Sequence, residues 1–159
     1  MSYTPFEISV SVMPGDIDEQ NHVNNTVYLQ WLDRLAWAHS AKLGIPIERC
    51  LAIRCGMAVR HTRVDYLEAA RLDDVLVLAT WIIASDDRLR CTRRFEILRA
   101  ADGRRVLEAE IDFFSLNLDT GKPCRFPPEF AACYKPLQEV VAAYADLSKA
   151  SHHIGRWPR

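Results

Sequence analysis

The sequence contains no C-x-x-C pair, no glycine-rich phosphate loop, no G-x-S-x-G turn and no apolar run approaching the ~20 residues of a membrane span. Each absence removes a class of protein. Its five cysteines, Cys50, Cys55, Cys91, Cys124 and Cys133, are odd in number and irregular in spacing, which points away from a disulfide framework or a zinc site and toward reduced, packed thiols. The formal net charge of −1 lacks the basic excess that a nucleic-acid partner demands. The first residues carry no basic region followed by an apolar run, so we expect a soluble, cytoplasmic protein with no membrane partner. Lysine is scarce: Arg greatly outnumbers Lys among the 20 basic residues. That bias suits phosphate recognition, and it equally suits a GC-rich genome.

The 159 residues suffice for one ordinary domain with a substantial core and are short for two. No repeat, linker or low-complexity segment divides them. We expect a single domain over residues 1–159, with a C-terminal extension from about residue 133.

The chain is organised around the stretch from Gly15 to Trp31, which packs Asp16, Asp18, Asn21, His22, Asn24 and Asn25 into a turn before a strongly apolar helical pattern. Asn24 or Asn25 reads as the N-cap, because a short side-chain oxygen there accepts a hydrogen bond from a first-turn N–H. Tyr28, Trp31, Leu32, Leu35 and Ala38 fall at spacings of three and four, and Val27, Ala36 and Trp37 widen the apolar face. A face that wide predicts a helix wrapped by other structure, with its N–H groups and positive dipole end aimed at Asp18 and His22.

Phe6 to Val12 alternates as a strand ended by Pro14-Gly15, and Gly44 and Pro46 stop the helix and begin a short turn over 47–51. Strands are predicted over 57–66, 75–83, 88–99 and 105–117. Residues 75–83 are covered on both faces, and Asp102-Gly103 marks a tight hairpin. In the fourth strand Cys91, Phe95 and Ile97 share one parity, opposite Arg94 and Glu96. Pro123, Pro127 and Pro128 break regular structure, and Pro136 opens a C-terminal helix with Leu137, Val140, Val141, Tyr144 and Leu147 on one face. Connections this short require an antiparallel sheet. The predicted fold is α+β: an antiparallel five- to six-stranded sheet wrapped around one long central helix, with a C-terminal helix. A single helix leaves a sheet edge exposed, which predicts a homo-oligomer.

Taken by type alone, Asp16, Asp18 and Asn24 serve as turn and capping residues and His22 as a donor to a carbonyl, and pattern by itself favours that plain role. A metal set of Asp16, Asp18 and His22 lacks a further partner, since His61, His152 and His153 stand at no recognisable spacing. We therefore expect no metal and no cofactor.

The run Asp16-x-Asp18-x-x-Asn21-His22-Val23-Asn24-Asn25-x-x-Tyr28-x-x-Trp31 resembles the signature of the 4-hydroxybenzoyl-CoA thioesterase-like branch of the hotdog-fold acyl-CoA thioesterases. Its His-Val-Asn-Asn portion also resembles the acyl-carrier-protein thioesterases. Asp65-Tyr66-Leu67 with Ala70-Arg71-Leu72-Asp73-Asp74, the Asp102-Gly103 hairpin, and Gly121-Lys122-Pro123-x-Arg125-x-Pro127 resemble further stretches of that family, so the likeness covers about residues 6–132. It implies an acyl-CoA thioesterase in which Asp18 is nucleophile or general base and the backbone N–H of Asn25 polarises the thioester carbonyl. It gives His22 a catalytic or an orienting role. Asn24 and Tyr28 are implied as substrate contacts, and Arg88, Arg90 and Arg125 as contacts to the CoA phosphates. The implied assembly is a homodimer or homotetramer whose sites borrow residues across the interface. One departure is notable: Asn21 stands where this branch usually has Gly, and Asn is the residue that otherwise best tolerates a left-handed backbone. Two other functions remain open, a hotdog module that binds acyl-CoA without cutting it and a hotdog hydratase or dehydratase.

Overall fold

Alternation sets the first strand, β1 (Phe6–Ser11), whose Phe6, Ile8 and Val10 turn inward while Glu7, Ser9 and Ser11 face water. The structure is a computed structural model and describes residues 5–136 and residue 142. After a single 3-10 turn at Pro14–Asp16 the chain enters α1 (Asn25–Lys42), capped by Asn24, whose side-chain oxygen accepts from the Thr26 N–H at 3.0 Å. Gly44, at φ +98°, carries the chain out of the helix in a backbone conformation that a side chain disfavours.

The short α2 (Ile47–Ile53) leads to β2 (Cys55–Tyr66), and then come β3 (Val75–Ser85), β4 (Arg90–Arg99) and β5 (Arg105–Asn117). The five strands form one sheet in the order β1-β3-β4-β5-β2, and every neighbouring pair is antiparallel. This is the α+β arrangement expected from the pattern, with five strands. α1 lies on one face. Its Leu32 and Leu35 are fully buried among Leu76, Leu78, Phe95, Ile97 and Leu107. Truncating either leucine to Ala would cost ~2–5 kcal/mol through lost burial and the cavity left behind.

Three local expectations are corrected. β4 begins at Arg90 rather than at residue 88, because one carboxylate oxygen of Asp86 accepts from the N–H groups of Arg88, Leu89 and Arg90 and holds them in a turn. Pro127 and Pro128 do not simply break structure. They cap and open α3 (Pro128–Cys133), since the first helical position needs no N–H donor. Trp37, counted into the apolar face of α1, remains 37% exposed. The helix expected from Pro136 onward lies outside the described residues, apart from Ala142, which is helical.

β2 is a sheet edge of 12 residues, and from Val59 to Arg63 it is exposed throughout. On the sheet face away from α1, the buried Arg94 guanidinium meets Glu96 at 3.3 Å, Glu108 at 2.8 Å and Glu110 at 3.6 Å.

Candidate active site at the start of the central helix

The loop before α1 is shaped by its backbone. Asp18 N–H donates to the His22 carbonyl at 2.9 Å and Asn21 N–H to the Asp18 carbonyl at 3.1 Å, closing a tight turn with Asn21 at φ 60°. Asparagine thus takes the left-handed position that glycine would otherwise fill. Val23 N–H donates to the Ala70 carbonyl and Asn24 N–H to the Asp16 carbonyl, each at 2.9 Å, which fastens the loop to the β2–β3 connection and to the residues preceding it.

Asp18, His22, Asn25 and Tyr28 line one open cleft of about 330 Å³, whose opposite wall is Tyr66, Leu67, Glu68 and Ala69. The half-buried Asp18 uses one carboxylate oxygen to accept from Gln20 N–H at 2.9 Å, and among the described residues its other oxygen has no hydrogen-bond partner. At the helix start, Thr26 N–H is taken by the Asn24 side chain and Val27 N–H by the Asn24 carbonyl. The Asn25 N–H has no acceptor among the described residues. Asp18, with one carboxylate oxygen unpaired, and Asn25, at the positive end of the helix dipole, therefore line the same cleft, and these are the group types that can activate a nucleophile and hold a developing oxyanion.

Tyr28 is buried, and its phenolic oxygen accepts from Ala70 N–H at 3.1 Å. Burial pushes its phenol above the ordinary value, partly opposed by that bond. Tyr28 packs edge-on to Trp31 and tilted against Tyr66, so it is both wall and strut. Asn24 does not line the cleft: its side-chain oxygen is occupied by the N–H and hydroxyl of Thr26. Among the described residues no group of three or more His, Cys, Asp or Glu converges as a metal set.

Arg88, Arg90 and Arg125 are exposed and lie at the other end of the sheet. Arg90 pairs with Phe114, whereas Leu67 and Glu68 bond to Val106. Along β5 those rows stand roughly 26 Å apart at the ~3.3 Å rise per strand residue. Phe126 N–H donates to the Arg88 carbonyl, which brings Arg88 and Arg125 together at that end. Sequence reasoning missed Tyr66 and Glu68 as parts of the cleft. Tyr66 donates to the Asn25 carbonyl at a long 3.4 Å, and Glu68 is held by Arg99 and Arg104.

The sequence model of the Thioesterase-like superfamily matches residues 12–133. The chain belongs to that superfamily. Solved structures repeat its hotdog fold. A hypothetical protein from Staphylococcus aureus in complex with CoA superposes with a TM-score of 0.79 at 17% identity, over 89% of this chain and 87% of that one. A 1,4-dihydroxy-2-naphthoyl-CoA thioesterase from Synechocystis gives 0.72 at 16% identity, over 87% and 96%. A probable thioesterase from Escherichia coli gives 0.69 at 20% identity, over 82% and 99%. No curated protein sequence matches the chain. Within this thioesterase-like chain, no helix among the described residues is long and apolar enough to cross a membrane.

Proposed function

We propose that the protein hydrolyses an acyl-CoA thioester to the free acid and CoA in the cleft bordered by Asp18 and the start of α1. The observation that supports this reading is that Asp18, with a carboxylate oxygen unpaired, and Asn25, the first residue of α1, line one cleft. The thioester carbonyl oxygen accepts from Asn25 N–H, where the helix dipole and the amide stabilise negative charge as it develops. As general base, Asp18 takes a proton from water, the hydroxyl oxygen bonds to the carbonyl carbon, the C–S bond breaks, and the proton passes to the departing CoA sulfur. As nucleophile, Asp18 itself bonds to the carbonyl carbon, the C–S bond breaks and CoA leaves as the thiolate; water then cleaves the mixed anhydride, which releases the free acid, restores the Asp18 carboxylate and leaves a proton for the CoA sulfur. His22, at the rim of the same cleft, orients the loop or assists proton movement.

The exposed edge of β2 supports a homo-oligomer built on a dimer. Two β2 strands paired antiparallel about Thr62 would set Tyr66 of one protomer level with Ala58 of its partner. Ala58 shares a row with Phe114 and Arg90. The partner's basic end would then lie about three strand spacings, roughly 14 Å, from the Asp18 cleft. An extended pantetheine arm spans that distance, which gives Arg88, Arg90 and Arg125 a route to the CoA phosphates across the interface.

Incubation with a panel of acyl-CoAs and a thiol reagent tests the activity. Release of free CoA sulfhydryl that Asp18→Asn abolishes is the expected result. Tight CoA binding with no thiol released from any member would favour the effector-binding module instead.

A further inference from the structure

The apolar parity of β4 reads Cys91, Arg93, Phe95, Ile97, so one charged residue points into the space beneath α1. Arg93 is only 2% exposed. Its guanidinium donates to Ser40 Oγ at 2.9 Å and to His39 Nδ1 at 2.5 Å, and it sits over the rings of Tyr134 at 5.6 Å and Phe113 at 6.0 Å. Ser40 in turn shares a hydrogen bond with the Tyr134 hydroxyl at 3.0 Å. Every one of these partners is neutral. Other buried or half-buried arginines here are treated differently: Arg94 meets three carboxylates, and Arg99 meets Glu68, Asp74 and Asp102. Among the described residues no carboxylate stands within ion-pair distance of Arg93. Asp33 lies at the mouth of the same space, exposed and unpaired with it.

A buried cation with no counter-ion is costly, and a guanidinium presents five N–H donors in a fork shaped for a carboxylate. Arg93 borders a cavity of about 140 Å³ walled by Ala36, Trp37, Met57, Val59 and Phe113. A cavity of that size holds a group about as large as benzene. Its apolar side suits a short hydrocarbon segment, while Asp33, Ser40 and Arg93 make part of the lining polar. The cavity opens beside the β2 edge at Met57 and Val59, the residues that the proposed pairing sets next to the partner's Asp18 cleft.

We propose that this cavity receives the far end of the acyl group and that Arg93 binds a carboxylate there, so that the substrates are CoA thioesters of short dicarboxylic acids. The inference rests on the thioesterase reading and its dimer, and it names the substrate class. The incoming carboxylate takes the N–H groups of Arg93 left over from Ser40, His39 and Tyr134 and supplies the counter-charge that none of the described residues brings within ion-pair distance of Arg93. A methyl-ended chain of equal length fills the same walls and leaves the guanidinium unpaired, which is the kind of mismatch that buried polar groups reject strongly.

The test compares adipoyl-CoA with hexanoyl-CoA and glutaryl-CoA with pentanoyl-CoA on the wild-type protein and on Arg93→Met. The expected result is a kcat/KM at least about ten-fold higher for the carboxylate-ended member of each pair, a preference that Arg93→Met abolishes. Equal kcat/KM within each wild-type pair overturns the proposal whether or not the variant folds. An equal fall for both members in the variant also overturns it, because Arg93 is then only a strut between sheet and helix. If no thioester is cut at all, the thioesterase reading fails by itself and thermal shift decides: adipate should raise the Tm of the wild type and not of Arg93→Met. Adipate with no more effect than hexanoate ends the inference.

Discussion

The amide of Asp18 donates to the carbonyl of His22 at 2.9 Å, and this bond, beside the bridge between Ile17 and Val23, closes the loop that carries Asp18 ahead of α1. Because the loop is closed through the backbone, the chemistry of the Asp18 side chain is separable from its folding role.

Asp18→Asn keeps an oxygen for the Gln20 N–H and removes only the negative charge. The Tm should stay within a degree or two, since both residues serve such turns. The kcat should fall by ~10²–10⁴ with KM little changed, the loss typical of a positioned acid-base group. His22→Ala should cost less if it only orients the loop. Steady-state thiol release checks both, and an Asp18→Asn protein retaining more than about a third of wild-type kcat would leave Asp18 as a turn residue.

Arg88→Ala, Arg90→Ala and Arg125→Ala should each raise KM for acyl-CoA more than they lower kcat, because phosphate contacts far from the carbonyl are shared by ground and transition states. The effect should shrink at high salt. A KM unchanged in all three variants would place the CoA phosphates elsewhere.

Light scattering at low micromolar concentration should give a dimer or a multiple of it. An active, stable monomer would rule out sites that draw on two protomers.

His39 carries an acid-sensitivity of its own. Burial, with the Arg93 charge beside it, pushes its imidazole down to about 4. Above pH ~6.5, its ordinary value, neither folded nor unfolded chain protonates it. Between about 6.5 and 4 the unfolded chain takes up a proton that the folded chain refuses, so stability falls across that window and levels off below it. After allowance for partial exposure, the loss is about 2 kcal/mol. His39→Gln retains an acceptor for Arg93 and should flatten the Tm profile from pH 6.5 to 4, as measured by calorimetry.

What could be read from the sequence was what local chemistry decides. Asn24 caps α1, Asn21 takes the left-handed position, and Asp102-Gly103 turns the β4–β5 hairpin because each depends on a few neighbouring residues. The exposed edge followed from counting strands against one helix. What escaped depends on long-range placement. Nothing local in Tyr66 or Glu68 says that the end of β2 faces the Asp18 loop, and nothing in Arg88 or Arg125 says that they lie at the far end of the sheet. Arg93 did leave a trace, a charge on the apolar parity between Cys91 and Phe95, which a strand with one solvated face would not carry.

The bonds that shape the Asp18 loop, to the carbonyls of His22, Asp18, Ala70 and Asp16, are all made by main-chain atoms. Side chains at Glu19 and Gln20 are exposed and take no part in that bracing. Mutational drift at those two positions should therefore leave the loop's shape unaltered, so Gln20, which lines the cleft, can change its lining while the backbone that holds Asp18 stays as it is.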